Sequence, residues 1–423
     1  EHHGDRFLIR TNDGAVNFKL MEAPVHSPGK AHWRELLPHR ADVYLQGIDA
    51  FRDYLAAYER EDGLQHIRIS APDGVSDAYR VPFPDPAYRV VRARNPEYDA
   101  TVLRFSFSSP VTPESTVDYD MARRVWKVMK QQEIPSGYDA SQYELQRLHA
   151  VAPDGTRTPI SLVARKGRPR DGRHPLLLFA YGSYGYSLDP SFDPRRISLL
   201  DRGFAYAIAH VRGGSELGRT WYEQGRLMHK KNTFTDLIAC AEHLIAQGFT
   251  APERLAIMGE SAGGLLMGAV TNMRPDLFGA VVANVPFTNV ITAMLRPDLP
   301  LTVIEYEQWG HPEDPEAFAY MLSYSPYDQV EAKAYPHLYV KGGLNDLQVP
   351  YWDPAKWVAK LRALKTDANR LVLVTNMGAG HGGASGRYDR LREDAQVYAF
   401  VIDALVGGDG LDTAHAPILK PHS

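Results

Sequence analysis

A serine on a glycine-flanked turn is the first arrangement in this sequence able to do chemistry. Gly259-Glu260-Ser261-Ala262-Gly263 follows an apolar run at 255–258 and precedes small and apolar residues at 262–273. Strand, G-x-S-x-G, helix is the pattern of a nucleophile elbow. Glycines at both ends let strand and helix close together while the serine is held on a strained turn with its hydroxyl outward. A serine hydroxyl is a weak nucleophile at neutral pH and needs a histidine base, itself oriented by a carboxylate. On an α/β-hydrolase sheet the partners come in the order serine, acid, histidine, each on a loop after a later strand. The strand-like residues 337–341 run into Leu344-Asn345-Asp346, and 371–375 lead to Gly380-His381-Gly382-Gly383. Asp346 and His381 thus complete a candidate triad with Ser261. Of the 16 histidines only His415 and His422 also follow 371–375, and both stand in a polar tail.

Attack by such a serine produces a tetrahedral oxyanion that needs donors aimed at it. The amide of Ala262, at the start of the helix, supplies one. The second is expected on the loop after residues 175–180, which reads Tyr181-Gly182-Ser183-Tyr184-Gly185. Either the Tyr181 phenol or a glycine amide there can donate.

The elements that must position these groups fall into two kinds. From residue 5 to about 134 the chain shows short apolar alternations (6–10, 17–21, 43–48, 54–58, 65–69, 101–107, 115–119 and 124–128) broken by turn signals such as Asp62-Gly63 and Asp73-Gly74. These are strands, and no helical period competes. Four-stranded units of about 45 residues match propeller blades, and the segment has room for two or three. A small sandwich or open sheet is the alternative. Two or three blades cannot close a ring, so strand edges would be exposed unless something covers them. A linker is expected around 133–139. Beyond 142 strands (144–151, 159–164, 175–180, 205–210, 255–258, 280–284, 337–341, 371–375) alternate with helical stretches (234–247, 262–273, 354–364), the signature of a helix-covered sheet. The predicted fold class is α/β: all-β blades of an incomplete β-propeller over 1–138, then an α/β-hydrolase catalytic domain over 139–423.

Bulk properties exclude several roles. The formal charge of −4 comes from 51 acidic and 47 basic residues that are interspersed, so no basic stripe exists for nucleic acid. The longest apolar runs, 175–180 and 204–209, fall far short of the roughly 20 residues that span a bilayer, which argues against a membrane partner. The single cysteine, Cys240, lies in a helical pattern that buries it as a small core residue. A chain without an intramolecular disulfide fits a reducing compartment, the cytoplasm. The histidines show no metal-site spacing with Cys or carboxylates, so no metal or cofactor is expected. The chain opens without Met and enters the strand-like 6–10 run at once, which reads as a fragment. Oligomeric state leaves no trace in the sequence.

Tyr181-Gly-Ser-Tyr-Gly, His210-Val-Arg-Gly-Gly-Ser-Glu-Leu-Gly, Lys231-Asn-Thr-Phe-Thr-Asp, Gly259-Glu-Ser-Ala-Gly-Gly, Tyr324-Ser-Pro-Tyr-Asp and Tyr351-Trp-Asp-Pro-Ala-Lys-Trp together resemble the prolyl oligopeptidase family, and within it the oligopeptidase B branch. The resemblance covers essentially the whole chain. It implies a serine endopeptidase that cleaves short peptides after Arg or Lys, with a propeller restricting access by large proteins. It places the triad on Ser261, Asp346 and His381 and a side-chain oxyanion donor on Tyr181. It also implies that Glu305 and Glu307 read a cationic P1 side chain, which buried negative charge near the nucleophile would do. At the P2-reading loop only Asp189 of two usual acids is present, because Asp189-Pro190-Ser191 follows, so a basic P2 preference is not implied. The elbow carries Glu260 where the branch usually has glycine. The family's earlier blades and the N-terminal segment that packs on its peptidase domain have no counterpart in these residues; a molecule that started at Glu1 would be expected to show lower stability and weaker size selection with the triad still assembled. Two competing readings are an esterase or lipase on the same fold, and a catalytically silent interaction module derived from the propeller.

Overall fold

Alternation of apolar and polar residues builds the first half of the chain. The computed structural model describes residues 1–407, so His415 and His422 lie outside the described residues. Three four-stranded antiparallel sheets follow one another. The first is β1 (His2–His3), β2 (Arg6–Thr11), β3 (Lys19–Pro24) and β4 (Arg34–Leu37). The second is β5 (Val43–Ala50), β6 (Leu55–Glu61), β7 (Leu64–Ser70) and β8 (Tyr79–Arg80). The third is β9 (Arg89–Arg92), β10 (Val102–Ser108), β11 (Ser115–Asp120) and β12 (Val125–Gln131).

Each sheet is a meander of sequential neighbours, so three blade-like units are present where two or three were expected. Strand β6 shows how they stack. Its period of two sends Leu55 and Ala57 into one core with Leu8, Leu20 and Leu37 of the first sheet. Ala56 and Tyr58 go into another core with Leu103, Phe105 and Val117 of the third. A strand covered on both faces belongs to a middle layer.

The second half is one eight-stranded sheet in the order β13-β14-β16-β15-β17-β18-β19-β20. Its strands are β13 (Tyr143–Val151), β14 (Arg157–Arg165), β15 (Leu176–Phe179), β16 (Ala205–Ala209), β17 (Leu255–Glu260), β18 (Ala280–Asn284), β19 (His337–Gly343) and β20 (Leu371–Asn376). β13 and β14 run antiparallel at one edge, and β16 through β20 are parallel. The helices are α1 (Pro194–Leu200), α2 (Arg219–Glu223), α3 (Lys231–Ala246), α4 (Ala262–Met273), α5 (Val290–Met294), α6 (Thr302–Trp309), α7 (Pro315–Leu322), α8 (Trp352–Leu364) and α9 (Arg387–Val406). The near-continuous apolar runs of β16 and β18 are buried at every position, as parallel strands covered on both faces must be. Cys240 is fully buried on α3. Among the described residues, no helix is long and apolar enough to cross a membrane.

The compact units do not follow chain order strictly. One comprises Glu1–Ser141 together with Asp189–Asp193 and Ser215–Trp221, and the other holds the sheet and most helices. Asp189 therefore belongs to the β unit, where Arg60 donates to its Oδ1 at 2.7 Å. The amide of Phe192 likewise donates to Ser108 Oγ at 2.9 Å.

Candidate active site

In open parallel sheets the functional groups gather at the carboxyl ends of the strands. Four successive parallel strands do this here. β17 ends on Glu260 and delivers Ser261, β18 leads to Val285, β19 to Asp346, and β20 to His381.

Ser261 adopts φ 54° and ψ −117°, a backbone state that costs about 1–3 kcal/mol and persists only where the surroundings enforce it. Three hydrogen bonds enforce it: Ser261 N–H to Asn284 O at 2.9 Å, Leu265 N–H to Ser261 O at 3.0 Å and Phe287 N–H to Ser261 O at 3.2 Å. Packing enforces it too. A Cβ on Gly259 would lie 2.4 Å from Gly263 O, so only glycine lets β17 and α4 meet this closely. Ala262 is the first residue of α4 and is 1% exposed. Its N–H has no intrahelical acceptor and points from a helix N-terminus.

Asp346 has a fully buried side chain, and its Oδ2 lies 2.7 Å from His381 Nδ1. Its Oδ1 accepts the amides of Gln348 at 2.8 Å and Val349 at 2.9 Å. An ionised carboxylate only accepts, so the His381 proton sits on Nδ1 and the Nε2 lone pair is free to act as a base. The two loops are stapled together by Asn345 N–H to Ala379 O at 3.1 Å. Glu393 on α9 holds the far side. It accepts from Asn376 Nδ2 at 2.6 Å, Lys341 Nζ at 3.2 Å and the Ala384 amide at 3.4 Å.

Ser261 and His381 line the same cavity of 860 Å³, together with Tyr181 and Glu305. Burial, reinforced by the Glu305 carboxylate, pushes the Tyr181 phenol up to about 12. It keeps its proton and can donate. Glu305 lies on α6, and its Oε2 accepts from Trp309 Nε1 at 2.6 Å and Tyr184 Oη at 3.0 Å. Burial raises its pKa despite those two donors, so an arriving cation would relieve an unfavourable charge. Phe287, Met294, Leu299 and Trp309 supply apolar wall around it.

Two expected residues are not brought to this cavity. Glu307 stands two positions beyond Glu305 on α6, is exposed and does not line the cavity. Residues i and i+2 of a helix face apart, so one helix cannot present both carboxylates to one pocket. Asp189 does not line it either, its carboxylate being taken by Arg60, which is 2% exposed.

Other groups at the site escaped sequence reasoning. Glu260 lines the cavity beside the nucleophile. Asp353, buried on α8, has its Oδ1 accepting from the amides of Thr288 at 3.0 Å and Asn289 at 2.9 Å and from the Thr288 hydroxyl. The Tyr351-Trp-Asp-Pro motif marked Asp353 without revealing its partners, which lie 64 and 65 positions away. Among the described residues no group of three His, Cys, Asp or Glu side chains could hold a metal ion.

Comparisons with known proteins identify the family of the chain. A family model described as prolyl oligopeptidase family matches residues 190–407, and one described as prolyl oligopeptidase, N-terminal beta-propeller domain matches residues 1–132. Dipeptidyl aminopeptidase BI of Pseudoxanthomonas mexicana is 47% identical over 407 residues, 96% of this chain and 56% of that protein. Protease 2 of Moraxella lacunata is 44% identical over 405 residues, 96% of this chain and 58% of that protein. Oligopeptidase B from Leishmania major superposes with a TM-score of 0.88 at 42% identity, covering 96% of this chain and 58% of that one. The chain thus spans a little over half the length of these relatives.

Proposed function

The chain belongs to the prolyl oligopeptidase family, and on that premise we propose that it is a serine oligopeptidase hydrolysing short peptides on the carboxyl side of Arg or Lys. Ser261 Oγ attacks the scissile carbonyl while His381 Nε2 takes its proton. Asp346 holds the Nδ1–H tautomer and stabilises the imidazolium. The oxyanion is received by the Ala262 amide and the Tyr181 phenol. His381 then protonates the leaving amine, and water releases the acyl group by the same route in reverse. Glu305 receives the P1 cation. Neither Glu307 nor Asp189 is needed for that step.

The observation that carries this reading is one cavity wall shared by a strained Ser261, an Asp346-bonded His381 and a half-buried Glu305. An esterase would be expected to line its pocket with apolar groups alone. A second reading concerns where in the peptide cleavage falls. The 47%-identical relative is named a dipeptidyl aminopeptidase, which suggests release of N-terminal dipeptides.

Initial rates on an Arg peptide amide, a Leu peptide amide and a short-chain ester test the proposal. Ser261→Ala should lower kcat about a million-fold. Glu305→Gln should lower kcat/KM roughly 100-fold on the Arg substrate, because a buried charge loses its partner, while barely changing the Leu substrate. Equal cleavage of Arg and Leu peptides by the unaltered chain would sink the basic P1 assignment, and no turnover by the folded protein would favour the silent module. Repeating the Arg assay with a blocked N-terminus separates endopeptidase from dipeptide release.

A further inference from the structure

The residue just before α3, Lys230, is 1% exposed. Its ammonium donates to Gly182 O at 2.6 Å, Ser183 Oγ at 2.9 Å, Thr233 Oγ1 at 3.2 Å and Gly225 O at 3.3 Å. All four acceptors are neutral oxygens. Burial with no carboxylate alongside pulls its pKa down to about 7. An unpaired cation in such a place is costly, and an apolar side chain would fill the same volume without the penalty. What the lysine provides instead is a set of donors that joins the Tyr181 loop to Gly225 and to Thr233 of α3. The two shortest bonds go to Gly182 and Ser183, the residues immediately after Tyr181. Its Nζ also lies 5.2 Å from the Trp309 ring centroid, on the α6 turn that carries Glu305. The Tyr181 loop has a carbonyl and a hydroxyl facing inward here, and α3 answers with a single ammonium.

We propose that Lys230 is a positioning residue that pins the Gly182–Ser183 turn to the start of α3 and thereby aims the Tyr181 phenol at the oxyanion. This rests on the reading of Tyr181 as an oxyanion donor. Lys230 touches no substrate. It acts through the loop, so it governs turnover and leaves capture of the P1 side chain to Glu305.

The test is a four-way comparison in the full chain: unaltered, Lys230→Met, Tyr181→Phe and the double variant, with kcat and KM on an Arg peptide amide. Removing an oxyanion donor by Tyr181→Phe should cost about 100-fold in kcat. Lys230→Met should lower kcat about 10-fold with KM within about two-fold, and the double variant should be no slower than Tyr181→Phe alone, since groups acting as one unit are not additive. A merely structural lysine would reduce the active fraction equally in both backgrounds, so multiplying effects would overturn the inference, as would a raised KM at constant kcat. Where Lys230→Met does not fold, Ser183→Ala removes one of the same bonds and should lower kcat about three-fold, again only when Tyr181 is present. If the chain proves silent on peptides, the rate of Ser261 capture by a fluorophosphonate replaces kcat in the same comparison. A Tyr181→Phe variant with unchanged rate would topple the oxyanion reading and this inference together. A full Tyr181 effect with an additive lysine effect would topple the inference alone.

Discussion

The two halves of the candidate triad are held in place by different physics. Ser261 stands on an elbow that close packing and backbone hydrogen bonds define together, with glycine at 259 admitting no Cβ and β18 and α4 buried around it. His381 stands on a loop that is half-exposed and fixed by polar contacts: the Asp346 carboxylate, a backbone staple, and the Glu393 cluster on α9. Packing gives the nucleophile a position it cannot leave without a cost to the fold. Polar contacts give the base an orientation that can be lost while the fold survives.

Asp346→Asn breaks the polar half most sharply. An amide can keep the two backbone bonds but favours the wrong imidazole tautomer, so kcat should fall about 10⁴-fold. Denaturant midpoints should move little in comparison. A comparable loss of stability would mean that the base is also held by packing.

Gly259→Ala attacks the other half. The new methyl meets a carbonyl oxygen inside a filled core, so unfolding in urea should come roughly 3 kcal/mol earlier, and activity should decline with the fold. An unchanged midpoint would contradict the packing account of the elbow.

The pH dependences are no larger than that, and they should carry opposite signs. Asp353 pins the Thr288–Asn289 turn beside the elbow, and burial raises its pKa to about 6. A folded-state pKa above the unfolded value means that the native state binds the proton more readily. Stability is therefore lost as pH rises from about 4 to 6, by roughly 3 kcal/mol at most. Asp353→Asn removes that dependence, so its stability relative to the unaltered chain should improve across the window. Glu393 is the reverse case. Burial alone would raise its pKa, but the Asn376 hydrogen bond and the Lys341 charge hold it below the usual glutamate range. Its contribution is present above the unfolded pKa and disappears as pH falls through the folded one, so the deficit of Glu393→Gln should shrink on acidification. Urea titrations between pH 3.5 and 8 read both, and parallel slopes would refute the contrast.

Much of this was legible in the sequence because it is local. Alternating runs gave the longer strands of the β half, and strand β18 and helix α4 fall at the expected residues. The short strands β1, β4, β8 and β9 were missed, since two to four residues are too few for a period to show. Helices α1, α2, α5, α6, α7 and α9 were missed as well, and with α6 the reason only one glutamate of Glu305 and Glu307 reaches the cavity. Chain order sufficed to select Asp346 and His381 as candidates. Arg60 with Asp189, Glu393 with Asn376 and Lys230 with Gly182 join residues distant in sequence, and nothing local announces such pairs.

The Glu305 carboxylate has one consequence for molecular discrimination. Its Oε2 already receives the Trp309 indole and the Tyr184 phenol, which fills both lone pairs and leaves Oε1 to meet a guest. A single oxygen cannot match the two-pronged fork of a guanidinium, and it serves a compact ammonium equally well. Under the proposed function such a pocket registers charge and reach more than shape, and arginine and lysine peptides should be turned over with similar efficiency.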